Sequence, residues 1–352
     1  MALNEKNYHE KKSIENTEKM REIVSGLPGF CKQYFRGIEE RASARTRLAY
    51  AYDLRVFFEF LQSRNPMLRG REIKDFRVDI LEALTAEDLE EYMEYLDYYE
   101  KEGKEYTNDE RGKARKLSAL RSMYKYFHSH EIIEKNPSEI VRTPKIHEKE
   151  IIRLDADEVA MLLDEVDSGE SMSPKQRVFH EKTRTRDLAL MTLLLGTGIR
   201  VSECVGLDVK DVDFKNDGIK VRRKGGYETV VYFGDEVEEA LLSYMEERDA
   251  VIPAQGHEDA LFLSLQNKRL TVRAVENLVK KYSRLVTTVK KITPHKLRST
   301  YGTSLYKETG DIYLVADVLG HKDVNTTRRH YAAMEDERRR SAANVVKLRK
   351  DD

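Results

Sequence analysis

One stretch of this chain departs from the pattern of the rest. Elsewhere apolar residues recur three and four apart, the spacing of one helix face. Between 211 and 233 the sequence reads DVDFKNDGIKVRRKGGYETVVYF, and apolar residues alternate with polar ones. Asn216-Asp217-Gly218 and Lys224-Gly225-Gly226 divide that stretch into three β-like segments joined by two tight turns. The expected fold is therefore mainly α-helical with one small antiparallel β-sheet, placed in the second half of the chain.

The first half reads as helices. Residues 1–30 are polar and lack a firm apolar period, so a tail, or a fraying helix over 1–25, is expected there. From Ala42, ASARTRLAYAYDLRVFFEFLQSR sets Leu48, Tyr52, Val56, Phe57 and Phe60 at helical spacing. A second helix starts at a Thr85 N-cap followed by acidic residues and runs through LEEYMEYLDYYEKEG to a glycine stop. A third spans Asn108 to about His130, with Leu117, Leu120, Met123, Tyr124 and Phe127 on its apolar side. Asn136-Pro137, Thr143-Pro144 and the charged run KIHEKEIIRL then place a linker at 143–153. Beyond it, LDADEVAMLLDEV reads as a capped helix and 167–182 as a polar insertion. RDLALMTLLLGTGIRVSECVGLDVKDV reads as a buried helix, a glycine turn at Gly198 and a short second helix opened by Arg200. Helices resume at Asp235.

At 352 residues, with 40% hydrophobic content, the chain can bury cores in two domains. The apolar run from Leu188 to Leu195 is far shorter than the ~20 residues of a bilayer span. MALNEKNYHEKK carries charge where a signal peptide carries an apolar core. A cytoplasmic protein with no membrane partner is expected. Cys31 and Cys204 form neither a disulfide framework nor a metal spacing and read as packed thiols. No metal-ligand motif occurs, so no metal and no cofactor are expected. Charge is balanced: 28 Lys+Arg against 29 Asp+Glu in 1–150, and 34 against 34 thereafter. It is also blocked. Arg41, Arg45 and Arg47 form one basic group; Arg111, Lys113, Arg115, Lys116, Arg121 and Lys125 a second; Arg328, Arg329, Arg338, Arg339 and Arg340 a third. Such local fields, rather than the sum, decide nucleic-acid binding, although solvated helix surface accounts for any one block equally.

Six residues suit the chemistry of an anionic substrate. Arg200 follows a buried helix and a turn, and by itself reads as an ion pair to Glu203. Lys224 sits at a hairpin tip, where lysines ordinarily serve solubility. His295 and Arg298 lie three apart on one helix face behind Pro294. His321 follows Leu-Gly, and Tyr331 stands in an arginine-rich run where no core residue is needed.

Taken together, these six resemble the tyrosine recombinases, or phage-type integrases. Arg200 in GTGIRVSE, Lys224 in RRKGG, His295 and Arg298 in PHKLRST, His321 in LGHKD and Tyr331 in RRHYA follow that family's order: Arg, hairpin Lys, His-x-x-Arg, His, Tyr. RTRLAYAYDLRVFFEFL and KARKLSALRSMYKYF are similar to the first and last main helices of its DNA-gripping domain, so the likeness spans roughly 35–340. It implies a core-binding domain at 31–142 and a catalytic domain at 154–352 whose tail docks on another subunit or packs in cis. The spacing from His321 to Tyr331 is ten rather than the commoner nine, which His330 would satisfy. Ser299 stands where many members carry a second histidine.

The chemistry implied is attack by Tyr331 on a phosphodiester, giving a 3′-phosphotyrosine and a free 5′ hydroxyl without metal or ATP. Arg200 and Arg298 would fork the phosphate oxygens. His295 and His321 would donate hydrogen bonds or move a proton. Lys224 would protonate the departing oxygen. Arg45, Arg47, Arg115, Lys116, Arg121 and Lys125 are the candidates for duplex contacts. The implied partners are double-stranded DNA and a homotetramer on two duplexes, with an accessory protein left open. Xer-type chromosome dimer resolution is the leading expectation. An integrase or resolvase of a mobile element, a type IB topoisomerase, a Mg²⁺ nuclease and a catalytically idle DNA-binding accessory protein are its rivals.

Overall fold

The computed structural model describes residues 7–147, 152–223, 225–321 and 323–324. Two compact units divide at Lys149 and Glu150. No helix among the described residues is long and apolar enough to cross a membrane.

The described part of the first unit opens with a helix. Helix α1 (Tyr8–Ser25) begins in an Asn7 capping box with Glu10 and buries Met20 and Val24. A capped helix thus stands where a polar tail or a fraying helix is expected from the sequence. The stripe is narrow: Met20, Val24 and Leu27, spaced four and three apart, join the core beneath an otherwise charged helix. Helices α2 (Gly29–Gly37) and α3 (Ala44–Arg64) follow, the latter burying Leu54, Phe57, Phe58 and Leu61. After α4 (Asp79–Ala83), α5 (Ala86–Tyr95) opens in the Thr85 capping box with Asp88. It stops at Tyr95, earlier than the sequence pattern implies. Strands β1 (Tyr99–Lys101) and β2 (Lys104–Tyr106) pair antiparallel around Glu102 and Gly103, both at positive φ. The rings of Tyr95, Tyr99 and Tyr106 stack at 5.0 and 5.2 Å, a cross-strand ladder that favours the hairpin over a longer helix. Helix α6 (Glu110–Ser129) then places Leu117, Leu120, Met123, Tyr124 and Phe127 in the core.

The second unit supports the site. Helix α7 (Ala156–Ser168) is followed by α8 (Pro174–His180), a short helix inside the stretch read as a polar insertion. Buried His180 anchors it, Nε2 lying 2.8 Å from the carbonyl of Val166. Helix α9 (Arg184–Thr197) is buried on nearly every side, and Asp187 within it is neutralised by Arg186 and bonded by the Tyr282 hydroxyl at 2.9 Å. Helix α10 (Val201–Cys204) precedes the sheet β3 (Val212–Asp213), β4 (Gly218–Arg222) and β5 (Glu228–Tyr232), antiparallel in that order. Helices α11 (Asp235–Asp249), α12 (Val272–Val286), α13 (Pro294–Thr309) and α14 (Ile312–Val318) complete the described unit. The mainly helical fold with small antiparallel sheets is the one the periodicity implies. Among the described residues two sheets occur rather than one, because the hairpin after α5 is held by tyrosines that read equally well as helix.

Candidate active site

The site begins where α9 ends. Gly198 closes that helix at φ 61°, and a Cβ there would lie 2.4 Å from the ring of Tyr301, so both conformation and space require glycine. The turn delivers Arg200 to the start of α10. Its backbone N–H donates to Glu203 Oε2 at 2.8 Å, its guanidinium donates to Oε1 at 2.8 Å, and a second nitrogen reaches the carbonyl of Gly320 at 3.3 Å. The ion pair to Glu203 and a place in the site therefore coexist. A third of the Arg200 side chain stays exposed, while Glu203 is 3% exposed.

Arg298 arrives from α13, fully enclosed. It donates to the carbonyl of Gly198 at 2.5 Å and to that of Leu319. His295, one turn earlier on the same helix, is exposed, and its carbonyl accepts from the Ser299 hydroxyl at 3.1 Å. Ser299 is thus engaged within its own helix.

The C-terminal turn of α14 organises the cluster. Helix ends leave carbonyls without intrahelical donors. Here Val315, Ala316 and Asp317 are satisfied by the N–H groups of Leu319, His321 and Gly320 at 3.0, 2.9 and 2.7 Å. The next three carbonyls, Val318, Leu319 and Gly320, accept from arginines instead. The negative end of the helix favours cations at this point. His321 follows directly, partly exposed, its backbone held in the turn.

One participant went unnoticed in the sequence. Arg223, the residue after β4, is 4% exposed and donates to Glu203 Oε2 at 3.4 Å, to Leu319 at 3.2 Å and to Val318 at 2.8 Å. The RRKGG run drew attention to its lysine, and nothing local marks Arg223 as buried. Three arginines and one carboxylate leave a net charge of two positive on the cluster. Beside it opens a cleft of ≈ 370 Å³ lined by Arg223, Tyr227, Tyr232, Tyr301, Asp317 and His321. Across the hairpin, Glu228 is held down to about 2 by Lys220 and Arg222. The structure thus brings Arg200, Arg298 and His321 to one turn, with His295 on the Arg298 helix. Lys224 and Tyr331, with His330, lie outside the described residues.

The basic residues of the first unit divide into two sets. Arg47 is 8% exposed and bonded to Glu39 at 2.7 Å. Lys116 is 7% exposed, bonded to Asn108 at 2.6 Å and 3.9 Å from Asp53. Arg121 fastens the segment after α6 through Ser138, Thr143 and Val141. Arg47 and Lys116 are closed off inside the domain, which corrects their reading as surface contacts: helical spacing places them on a polar face, but a folded neighbour covers it, while Arg121 stays partly exposed. Arg45, Arg115 and Lys125 are exposed, Arg115 also bonding Asp53 at 2.6 Å. With Arg111 and Ser118, Arg115 and Lys125 form an exposed stripe at helical spacing along α6. No group of three His, Cys, Asp or Glu that could hold a metal occurs among the described residues.

Comparison with known proteins agrees with this geometry. The phage integrase family matches residues 152–338, and the phage integrase N-terminal SAM-like domain matches 31–130. The chain belongs to the phage integrase family and is a site-specific tyrosine recombinase. Among its relatives, tyrosine recombinase XerC of Caldanaerobacter subterraneus subsp. tengcongensis is 33% identical over 322 residues, covering 88% of this chain and 84% of that one. Tyrosine recombinase XerD of Oceanobacillus iheyensis is 31% identical over 301 residues, covering 84% and 90%. In fold the chain is similar to the Tn1549 transposon integrase in complex with circular intermediate DNA. That match has a TM-score of 0.62 and 21% identity, over 86% of this chain and 95% of that one.

Proposed function

We propose that this recombinase cleaves and rejoins duplex DNA at a specific site through a 3′-phosphotyrosine on Tyr331, and that its role is Xer-type resolution of chromosome dimers. The observation that carries the chemistry is the convergence of Arg200, Arg298 and His321 on the α14 turn. A phosphodiester repels nucleophiles, and a fixed positive cluster offsets the charge that builds on its oxygens. Arg200 keeps guanidinium surface toward solvent, while Arg298 is buried and cannot reorient, so the field is in place before DNA arrives. His295 and His321 supply hydrogen bonds to the same oxygens. Tyr331 Oη attacks phosphorus, the bond to the 5′ oxygen breaks, and Lys224 gives that oxygen its proton. Because the tyrosyl ester keeps the bond energy, a 5′ hydroxyl of another strand reverses the step.

The likeness to XerC and XerD over most of their length favours the chromosomal role. Similarity to a transposon integrase favours the rival mobile-element role through fold alone. The exposed stripe of α6, with Arg45 on α3, is the surface proposed to meet the duplex. A homotetramer on two duplexes completes the reaction.

The test is capture of the adduct. Mixing the protein with fragmented host DNA in EDTA, denaturing and sequencing the covalently held fragments should return one recurrent site, with Tyr331→Phe returning none. Adducts on His330 in a Tyr331→Phe variant would move the nucleophile. A protein that binds the fragments and never links to them would be an accessory DNA-binding protein.

A further inference from the structure

We propose that Arg223 is a positioning residue of the reaction, a third arginine that fixes Arg200 and His321 for the scissile phosphate without touching it. The proposal rests on the strand-transfer reading above and adds a residue to it. Arg223 is 4% exposed, and its terminal nitrogens are engaged by Glu203, Leu319 and Val318. Its guanidinium thus joins three parts of the site. One nitrogen reaches Glu203 Oε2, the same oxygen that accepts the backbone N–H of Arg200, and also the carbonyl of Leu319. The other terminal nitrogen donates to Val318. Leu319 is shared with Arg298, and Gly320, which accepts from Arg200, leads into His321.

Gly320 is shaped for this contact. It lies at φ 60°, and a Cβ there would sit 2.9 Å from Arg223 Cζ and 3.0 Å from Nε, atoms that are enclosed and cannot swing aside. The left-handed turn and the bare backbone let the guanidinium lie against the residue before His321. Without it, Glu203 would lose one of its two cations, and the carbonyls of Val318 and Leu319 would lose donors inside a closed region. Both changes loosen the turn rather than remove a group that meets substrate. A planar fork serves these acceptors from two separate nitrogens, whereas the three donors of an ammonium radiate from one point.

The experiment uses the full chain and the duplex recovered by adduct capture, remade with a nick so that cleavage is irreversible. A second copy carries a methylphosphonate at the scissile position. Replacing a non-bridging oxygen by methyl removes the negative charge, so cations that are slightly misplaced cost little on that substrate. Arg223→Gln should bind the ordinary duplex as wild type does and cleave it about tenfold or more slowly, while cleaving the methylphosphonate within about threefold of wild type. Arg223→Lys should fall between, with the same recovery, and serves if the glutamine variant does not fold. Equal slowing on both substrates would make Arg223 a general stabiliser, and wild-type cleavage of the ordinary duplex by Arg223→Lys would exclude a positioning role. A wild-type protein that forms no adduct removes the underlying reading, an outcome distinct from either.

Discussion

Glu203 holds Arg200 at two points, accepting the backbone N–H on one carboxylate oxygen and the guanidinium on the other, each at 2.8 Å. The pairing fixes the direction of an arginine whose side chain remains a third exposed. Glu203→Gln keeps the size and one acceptor but loses the charge that balances Arg200 and Arg223. Cleavage should fall about tenfold while DNA affinity holds or rises, because the cluster becomes more positive. Single-turnover cleavage and filter binding separate the two.

Arg298 is buried with its terminal nitrogens spent on Gly198 and Leu319. Arg298→Lys cannot serve both carbonyls and a phosphate. A loss of about 10²–10³ in cleavage rate is expected, with about 1–3 kcal/mol of stability lost through the unsatisfied carbonyl. Adduct yield and urea denaturation measure these, and a variant losing stability but not rate would place Arg298 outside the chemistry.

In the first unit, Asp53 is enclosed, and burial pushes its carboxyl up to about 6 despite Arg115 and Lys116 beside it. An acid whose folded pKa is raised binds more protons folded than unfolded between about 4 and 6. Its contribution is therefore fully present below about 4 and is lost as pH rises through 6, by about 3 kcal/mol. Asp53→Asn should show a flatter dependence of stability on pH across that window. Parallel curves for the two proteins, by denaturation at pH 4 to 7, would contradict the assignment.

Arg115 and Lys125 are exposed on α6, whereas Lys116 is closed off against Asn108 and Asp53. Lys125→Ala should weaken DNA binding and reduce the slope of log affinity against log salt by about 1. Lys116→Ala should lower thermal stability, leaving Asp53 with less compensation. A salt slope unaffected by Lys125→Ala would move the duplex to another face.

Cys31 and Cys204 are fully buried; burial raises both thiols, Cys204 to about 12. Neither should react with a disulfide reagent such as DTNB in the native state, and both should react on unfolding. A fast native phase would show that one of the cores opens locally.

Much of this protein was legible in its residues. While the grouping of Arg200, His295, Arg298 and His321 as one site rests on the family resemblance, the turns and helix starts that carry them are written in glycines, a proline and a Leu-Gly step. These are local signals, because each turn and cap needs only its own neighbours. The change of period at β3 to β5 is local too, and it placed the sheet. The residues alone do not decide the α1 helix against a tail, and the hairpin after α5 was not legible, since one is decided by a narrow stripe meeting α3 and the other by tyrosines stacking across strands.

The site shows the same division. Sequence alone determined which side chains are available to meet a phosphate, because their chemistry is intrinsic to them. Only the tertiary structure decided which cations are taken. Arg47, Lys116 and Arg121 are used within the first unit, whereas Arg223 joins the α14 turn, 96 residues from Leu319 in the chain. Burial and hydrogen-bond partners arise from segments far apart in sequence, so a charge that reads as surface can be the one holding the site together.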